Sequence, residues 1–410
     1  MAGRDGIRGN NQSRNAKVRR RRVVIMGGAV GAFLAAAAMA TGSVVTAASA
    51  KADFEDLLDP IIQPLVTSLS DAIAGVDPAA ATDLTSWSDS LLSSVNSLDV
   101  GAALPSTAEP AASAALPASS DTTGTYDIPI TVQEATEPTV QASIDGSSDQ
   151  TLLVDTGSSG LVIPWEDLGL LQTLELGLPT GIGEGGYSGG VDYIYLTYDT
   201  SVDYPLSGGG TLDTSNIPVD VEILSWPTSF SSGSPLDFQQ FLADNDSTGI
   251  LGIGDSASDG GPGTSPLESA GFNGVTVDIP QNELVVGSNA GTPIDTVSGA
   301  PISNLYEQVG SGTPVAVSDD VDSGGVYGTI PSSLVGNAGS VPPGTTITVY
   351  DSPGGTELYS YTTGTDSLGD STAPTVTSGT SIDSGVEPFL QEPIYINYTD
   401  DTLTFDEPGS

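Results

Sequence analysis

Beyond Lys51 this chain has no cation. All nine Lys and Arg residues lie in the first 51 positions (Arg4, Arg8, Arg14, Lys17, Arg19 to Arg22 and Lys51), while of the 52 Asp and Glu residues only Asp5 precedes Lys51. A chain cut just before Lys51 would carry 51 acids and one base, a formal charge of −50. Such a body has no counter-charge to offer phosphates, which excludes nucleic-acid binding, and no basic patch for an anionic membrane. A charge this negative often accompanies disorder, but 38% apolar residues and regular strand-like runs argue for a folded domain. With no cation nearby, mutual repulsion is expected to raise the folded-state pKa values of the carboxyls, so stability is expected to be greater in mild acid than at neutral pH.

Cys and His are absent altogether. Disulfides, thiol catalysis, Ser-His-Asp and Cys-His hydrolases, and His- or Cys-ligated zinc are thereby excluded. No cofactor and no metal is expected. Hydrolytic chemistry in such a chain must rest on carboxylates, Ser, Thr, Tyr or the backbone, which favours a pair of carboxylates.

The chain divides into four regions. Residues 1–50 read as an export signal: a basic start, the uncharged run Val23 to Ala48, then Ala48-Ser49-Ala50 as a cleavage pattern. Arg19 to Arg22 keep a twin-arginine route open beside the general secretory one, and the run is long enough to serve as an uncleaved anchor. Residues 51–98 carry a helical stripe (Phe54, Leu57, Leu58, Ile61, Ile62, Leu65, Val66, Leu69, Ile73) broken by Pro60 and Pro64, and a second short stripe from Leu84 to Leu98. A small helical hairpin or a propeptide-like docking segment fits this pattern. Residues 99–124, rich in Ala, Pro, Ser and Thr, read as a linker, and the folded body occupies 125–410.

That body is an all-β text of short β-branched or aromatic runs separated by Gly, Asn, Asp and Ser. Val140 to Ile144, Asp145-Gly146 and Thr151 to Val154 predict a hairpin. Further strands are expected at Val191 to Tyr204, Val219 to Leu224, Val275 to Ile279, Leu284 to Val286, Thr345 to Tyr350 and Ile394 to Tyr398, with no long helix. The length admits two β lobes.

Two stretches share one logic. Leu152-Leu153-Val154 runs into Asp155-Thr156-Gly157-Ser158, and a second apolar run, Leu161 to Pro164, leaves it. Val315-Ala316-Val317 leads to Asp322-Ser323-Gly324, and a segment ending at Ile330-Pro331 follows. Each has a closing element: Gly249-Ile250-Leu251-Gly252 for the first, and the region of Ile382 to Gly385 for the second. Asp383-Ser384-Gly385 is a rival for the second Asp, but only 27 residues follow it, and its position matches the closing element instead.

With these motifs the chain resembles the pepsin-like aspartic proteases over about residues 138–405. It resembles more narrowly the aspartic protease domain associated with PE and PE-PGRS surface proteins, through residues 322–331 and 387–396. The resemblance implies an all-β, bilobal acid protease fold with one catalytic Asp per lobe, Asp155 and Asp322, activating one water. Thr156, Gly157, Ser158, Ser323 and Gly324 would form the supporting loops, with the two hydroxyls bonding across a pseudo-twofold axis. Ser158 would donate to Asp155, while Gly325 leaves Asp322 without that donor, which favours Asp155 as the ionised member. Tyr187, in Gly186-Tyr187-Ser188-Gly189-Gly190, is the candidate flap residue, with Tyr195 and Tyr198 behind it. A structural aromatic on a strand is the plainer reading of Tyr187.

The function expected is a secreted or cell-surface aspartic endopeptidase. Its partners would be proteins or peptides, with surface proteins and the chain itself among the candidate substrates. Membrane contact would run through the signal segment alone, and the molecule would act as a monomer. The alternative is a catalytically silent pepsin-fold surface binding module. An acidic calcium-binding surface protein is disfavoured, since neither an EF-hand loop nor a Gly-Gly-x-Gly-x-Asp repeat is present.

Overall fold

The computed structural model describes residues 122–177, 179–228, 235–255, 263–336 and 339–409. The expected export signal, the 51–98 segment and the expected linker through residue 121 lie outside the described residues. Among the described residues there are 21 strands, and no helix exceeds six residues. The predicted hairpin forms: Glu137–Ile144 pairs antiparallel with Gln150–Asp155, and Asp145 and Gly146 both take positive φ, 50° and 70°. Asp and Gly are the residues that adopt this conformation at least cost. The other expected strands appear as Val191–Pro205, part of Thr211–Pro227, Gly274–Asp278, Glu283–Val286, Thr346–Tyr350 and Ile394–Asn397.

Three apolar strands with almost no exposed residue form the centre of the first lobe: Gln150–Asp155, Gly249–Ile253 and Ser159–Pro164. Burial on both faces explains why these read as continuous apolar runs rather than as alternating ones. Leu152, Val154, Leu161, Ile163, Ile250 and Leu251 are completely enclosed, each contributing about 1.5–3 kcal/mol of burial. Gly249–Ile253 threads between the two arms of the turn at Asp155, parallel to the first arm and antiparallel to the second. Gly252 is placed by this threading, because a Cβ there would lie 2.7 Å from the Ser159 backbone. The sheet continues to eight strands through Thr211–Pro227, Val191–Pro205 and Gly181–Tyr187.

The second lobe repeats the device in a seven-stranded sheet. Ser381–Asp383 runs parallel to Val315–Asp320 and touches Thr329–Pro331 antiparallel, so it threads between the arms of the turn at Asp322. A third sheet has six strands and draws Tyr126–Pro129 from the start of the domain and Ile394–Asn397 and Thr402–Asp406 from its end. It ties the two ends of the domain together. The fold is thus mostly β and bilobal, with one Asp turn per lobe.

Several strands escaped the sequence pattern, among them Tyr126–Pro129, Pro293–Ser298, Ile302–Val309 and Glu357–Thr362, and a further one lies beside the site. Gly181–Tyr187 (Gly-Ile-Gly-Glu-Gly-Gly-Tyr) pairs with Val191–Pro205 so that Gly181, Gly183 and Gly185 face Thr197, Tyr195 and Tyr193. A Cβ on Gly183 would collide with the Tyr195 hydroxyl, and one on Gly185 would stand 2.6 Å from Tyr193 Cζ. The glycines form a trough into which the tyrosine rings of the neighbouring strand lie, and this cross-strand packing stands in for side chains the strand lacks.

Several acids are buried with no cation in the domain to match them, including Asp220, Glu222, Glu307 and Glu387. Asp220 accepts from the Thr197 hydroxyl. Burial, more than repulsion, raises these groups: Asp220 and Glu387 to about 7, Glu222 and Glu307 to about 8. Mutual repulsion, the cause expected from the sequence, is the smaller contribution; desolvation is the larger.

Two outcomes follow from this packing. Gly185→Ala should cost about 1–3 kcal/mol in denaturant unfolding, because the buried Tyr193 ring cannot yield. Gly181→Ala, which meets only the Thr197 side chain at 3.1 Å, should cost less; equal losses would show that the tyrosines do not set the strand. The buried acids bind protons more tightly folded than unfolded, so their contribution is full below the ordinary carboxyl range. It is lost as pH rises through the folded values near 7 and 8. The melting temperature should fall between pH 5 and pH 8, and a rise over that interval would contradict this origin of stability.

Candidate active site

Asp155 ends its strand, and Asp322 follows two residues after Val315–Asp320 ends. The turns they open meet at the lobe boundary. The Thr156 hydroxyl donates to the Val321 carbonyl at 2.6 Å and accepts from the Ser323 amide at 2.8 Å. Ser323 reciprocates: its hydroxyl donates to the Val154 carbonyl at 2.7 Å and accepts from the Thr156 amide at 3.1 Å. Both side chains are fully buried. Four charge-free hydrogen bonds thus fix one turn against the other, as the sequence led one to expect of these two hydroxyls.

The glycines serve as close-approach points. A Cβ on Gly157 would stand 2.5 Å from Asp322 Cγ, and one on Gly324 would stand 2.7 Å from Asp155 Oδ1. Each glycine therefore lies against the carboxyl of the opposite lobe. The Gly157 amide donates to Asp155 Oδ1 at 3.0 Å and to Asp322 Oδ1 at 3.2 Å, and the Gly324 amide donates to Asp322 Oδ1 at 2.8 Å. Any side chain at either glycine would push the carboxyls apart.

The two carboxyls are not equivalent. The Ser158 hydroxyl donates to Asp155 Oδ2 at 2.6 Å. Burial raises Asp155, but hydrogen bonds from Ser158, from Asp322 and from the Gly157 and Ser158 amides oppose that rise. Burial also raises Asp322, well above the carboxylate range, and there the charges of Asp155, Asp383 and Asp320 add to it. The closeness of the two carboxyls lowers Asp155 and raises Asp322. These directions favour Asp322 as the holder of a proton shared by the pair and Asp155 as the ionised member.

Gly325, the counterpart of Ser158, cannot be furnished with a hydroxyl at no cost. A Cβ there would collide with Asp383 Oδ1 and stand 2.8 Å from Asp322 Oδ2. Gly325→Ser therefore does not restore symmetry between the lobes; it would displace Asp383.

Tyr187 closes the strand that leads into the hairpin tip Ser188-Gly189-Gly190. It is buried, with its ring stacked 5.6 Å from Tyr193, 5.8 Å from Phe238 and 5.6 Å from Phe241. The tip rests on the Phe241 ring, against which a Cβ at Gly189 would collide. The Tyr187 hydroxyl lies beside those of Tyr193 and Ser158 without meeting hydrogen-bond geometry, and near enough to Asp155 to feel its charge. The ring behind Tyr187 is Tyr193, not Tyr195 or Tyr198; Tyr195 only tilts against Tyr193, at 5.9 Å and 48°. The two readings of Tyr187 merge here, for it is a core aromatic and also the residue at the hairpin tip beside Asp155.

Sequence reasoning missed Phe238 and Phe241, which lie on a six-residue helix capped by Asp237. It also gave no role to Ser384, whose hydroxyl accepts from the Asp322 amide at 3.1 Å. The signal for Ser384 was present, since the second closing element is polar where the first is apolar. Among the described residues no group of acids is arranged to hold a metal ion.

Comparison with known proteins identifies the family of the chain. Residues 126–404 match the family described as the PE-PGRS C-terminal aspartyl peptidase-like domain. PE cleavage protein A of Mycobacterium tuberculosis is 41% identical over 301 residues, covering 69% of this chain and 52% of the relative. PE cleavage protein A of Mycobacterium marinum is 38% identical over 301 residues, covering 68% and 52%. The chain spans about half the length of these curated relatives. The crystal structure of an aspartic proteinase from Irpex lacteus aligns with a TM-score of 0.47 at 16% identity, covering 70% of this chain and 98% of that one. On the family match and the 41% identity, the chain belongs to the PE-PGRS C-terminal aspartyl peptidase-like family.

Proposed function

We propose that this chain is an aspartic endopeptidase in which Asp155 and Asp322 activate one water for attack on a peptide bond. The observation that carries the reading is the pair of carboxyls on intact glycine turns, locked across the lobes by Thr156 and Ser323. In this reading Asp155 is the base and Asp322 the acid. As the water oxygen bonds to the carbonyl carbon, Asp155 takes its proton and Asp322 gives its own proton to the carbonyl oxygen. The tetrahedral adduct then collapses: the C–N bond breaks, Asp155 passes its proton to the leaving amine, and the hydroxyl formed on the carbonyl oxygen returns a proton to Asp322. The Thr156 and Ser323 bonds hold the carboxyls in register throughout, so that little reorganisation accompanies reaction.

The hairpin carrying Tyr187 would cover a bound peptide beside Asp155. The curated relatives bear the name PE cleavage protein A, which puts proteins of the PE type first among candidate substrates. Surface proteins and the chain's own linker are further candidates. Export by the N-terminal signal would bring the enzyme to the cell envelope or beyond it.

The test is cleavage of a denatured protein by the full chain between pH 4 and 6. Asp155→Asn and Asp322→Asn should each lower kcat/KM by at least about a thousandfold. Equal cleavage by wild type and both variants would overturn the proposal, and binding of peptide without cleavage by wild type would favour the silent binding module. Ser158→Ala removes the 2.6 Å donor from Asp155 Oδ2. It should therefore move the acidic limb of the pH–rate profile upward by about one unit. An unmoved acidic limb would show that this hydroxyl does not hold the charge on Asp155.

A further inference from the structure

The two closing elements occupy equivalent places but differ in chemistry. In the first lobe Leu153 pairs with Ile250 and Asp155 with Gly252. In the second, Asp320 pairs with Asp383, and two residues farther on Asp322 and Gly385 take the positions of Asp155 and Gly252. Asp383 therefore stands where the first lobe has Ile250, a fully enclosed residue of the cluster that holds Tyr187, Phe238 and Phe241.

A second exchange accompanies the first. Gly325 stands where the first lobe has Ser158, and its missing side chain makes room for Asp383. A Cβ on Gly325 would collide with Asp383 Oδ1, and would lie 3.0 Å from Asp383 Cγ and 2.8 Å from Asp322 Oδ2. The carboxyls of Asp383 and Asp322 thus face each other across the space of a single methyl group. The segment is held in place, because the Gly385 amide donates to Asp383 Oδ1 at 2.9 Å and the Ser384 hydroxyl accepts from the Asp322 amide at 3.1 Å. An amide donating to Asp383 favours its ionised form.

We propose that Asp383 is a third carboxylate of the site, a positioning residue that keeps the shared proton on Asp322 and carries activity toward neutral pH. This rests on the aspartic endopeptidase reading and deepens it. The first lobe places a hydroxyl donor beside its Asp, which favours charge; the second places a carboxylate beside its Asp, which favours the proton. The groups facing Asp322 are all acids: Asp155 from the opposite turn, Asp320 from its own strand and Asp383 from the threading strand. Asp319 lies beside Glu307 and Tyr359, and the charge of Asp383 reaches it as well, adding to the burial that raises it. Since the domain has no cation, no opposite charge stands against these acids.

The test compares full-length wild type with Asp383→Asn and Asp383→Glu. A charge about 5 Å from Asp322 at an effective dielectric of about 20 corresponds to about two pH units. Asp383→Asn should therefore move the basic limb of kcat/KM down by about that much, with activity at pH 4 within about threefold of wild type. Asp383→Glu should return the limb toward wild type. A basic limb unmoved in Asp383→Asn, or a loss equal at every pH, would overturn the proposal. Thermal melts read the same interaction without activity. Removing the repulsion should make the melting temperature of Asp383→Asn, relative to wild type, more favourable at pH 7 than at pH 4. A difference constant with pH would overturn the proposal by this route. An inactive wild type with the expected melting difference would instead sink the endopeptidase reading while leaving the Asp383–Asp322 coupling supported. Should Asp383→Asn fail to fold, Asp383→Ser reads the same shift with a smaller side chain, and an unmoved limb there also overturns the proposal.

Discussion

Thr156 and Ser323 exchange hydrogen bonds across the lobe boundary, and most of the site's geometry descends from that exchange. Each hydroxyl donates to a carbonyl in the opposite lobe and accepts an amide from it. Fully buried and paired with backbone groups, these bonds cannot be given up to water without leaving polar atoms unsatisfied, at about 1–3 kcal/mol each. They fix the two turns closely enough that only glycine fits at 157 and 324, where each backbone lies against the opposite carboxyl. The carboxyls then have no freedom to separate, and a buried pair of acids without a cation must share a proton. Lobe assembly and acid–base chemistry are therefore one constraint seen at two scales.

The absence of cations shapes the rest of the domain in the same way. In most proteins a buried acid is matched by Arg or Lys; here it can only be protonated or hydrogen-bonded to neutral donors. Asp319 illustrates the first course, being completely buried beside Glu307 and Tyr359 and pushed well above the carboxylate range by that burial. Asp155 illustrates the second, with Ser158 and two amides opposing the same desolvation. Asp366, which is only half-buried, uses the same donors at little desolvation: the Tyr327 hydroxyl and the amides of its own loop lower it below the ordinary value. Such a domain suits acidic surroundings, because each proton taken up by a buried acid favours the folded state.

Much of this was legible in the sequence, for reasons that differ from element to element. Asp155 and Asp322 could be found because an apolar run ending in Asp-Thr-Gly or Asp-Ser-Gly has few structural uses, and the lack of His and Cys removed the competing chemistries. The Asp145-Gly146 hairpin followed from local turn preference alone. The strand Gly181–Tyr187 was invisible because its stability comes from Tyr193 and Tyr195 on the neighbouring strand, a pairing that no window of residues contains. Phe238 and Phe241 were missed for a related reason, since a six-residue helix is too short for its periodicity to declare itself. The pKa cause was misjudged because counting charges reveals repulsion, whereas burial depends on packing that composition does not encode.

The rival motif Asp383-Ser384-Gly385 is where the two kinds of argument meet. Spacing rejects Asp383 as the second site Asp, and the strand register agrees, placing it in the threading strand. Spacing could not say why a closing element should be polar. The register answers by setting Asp383 and Gly325 against Ile250 and Ser158, so that two substitutions on one topology change the environment of one carboxyl out of the pair. A scaffold with near-twofold symmetry would otherwise give its two acids equal claims on one proton. Placing a donor beside one and a charge beside the other breaks the tie by electrostatics.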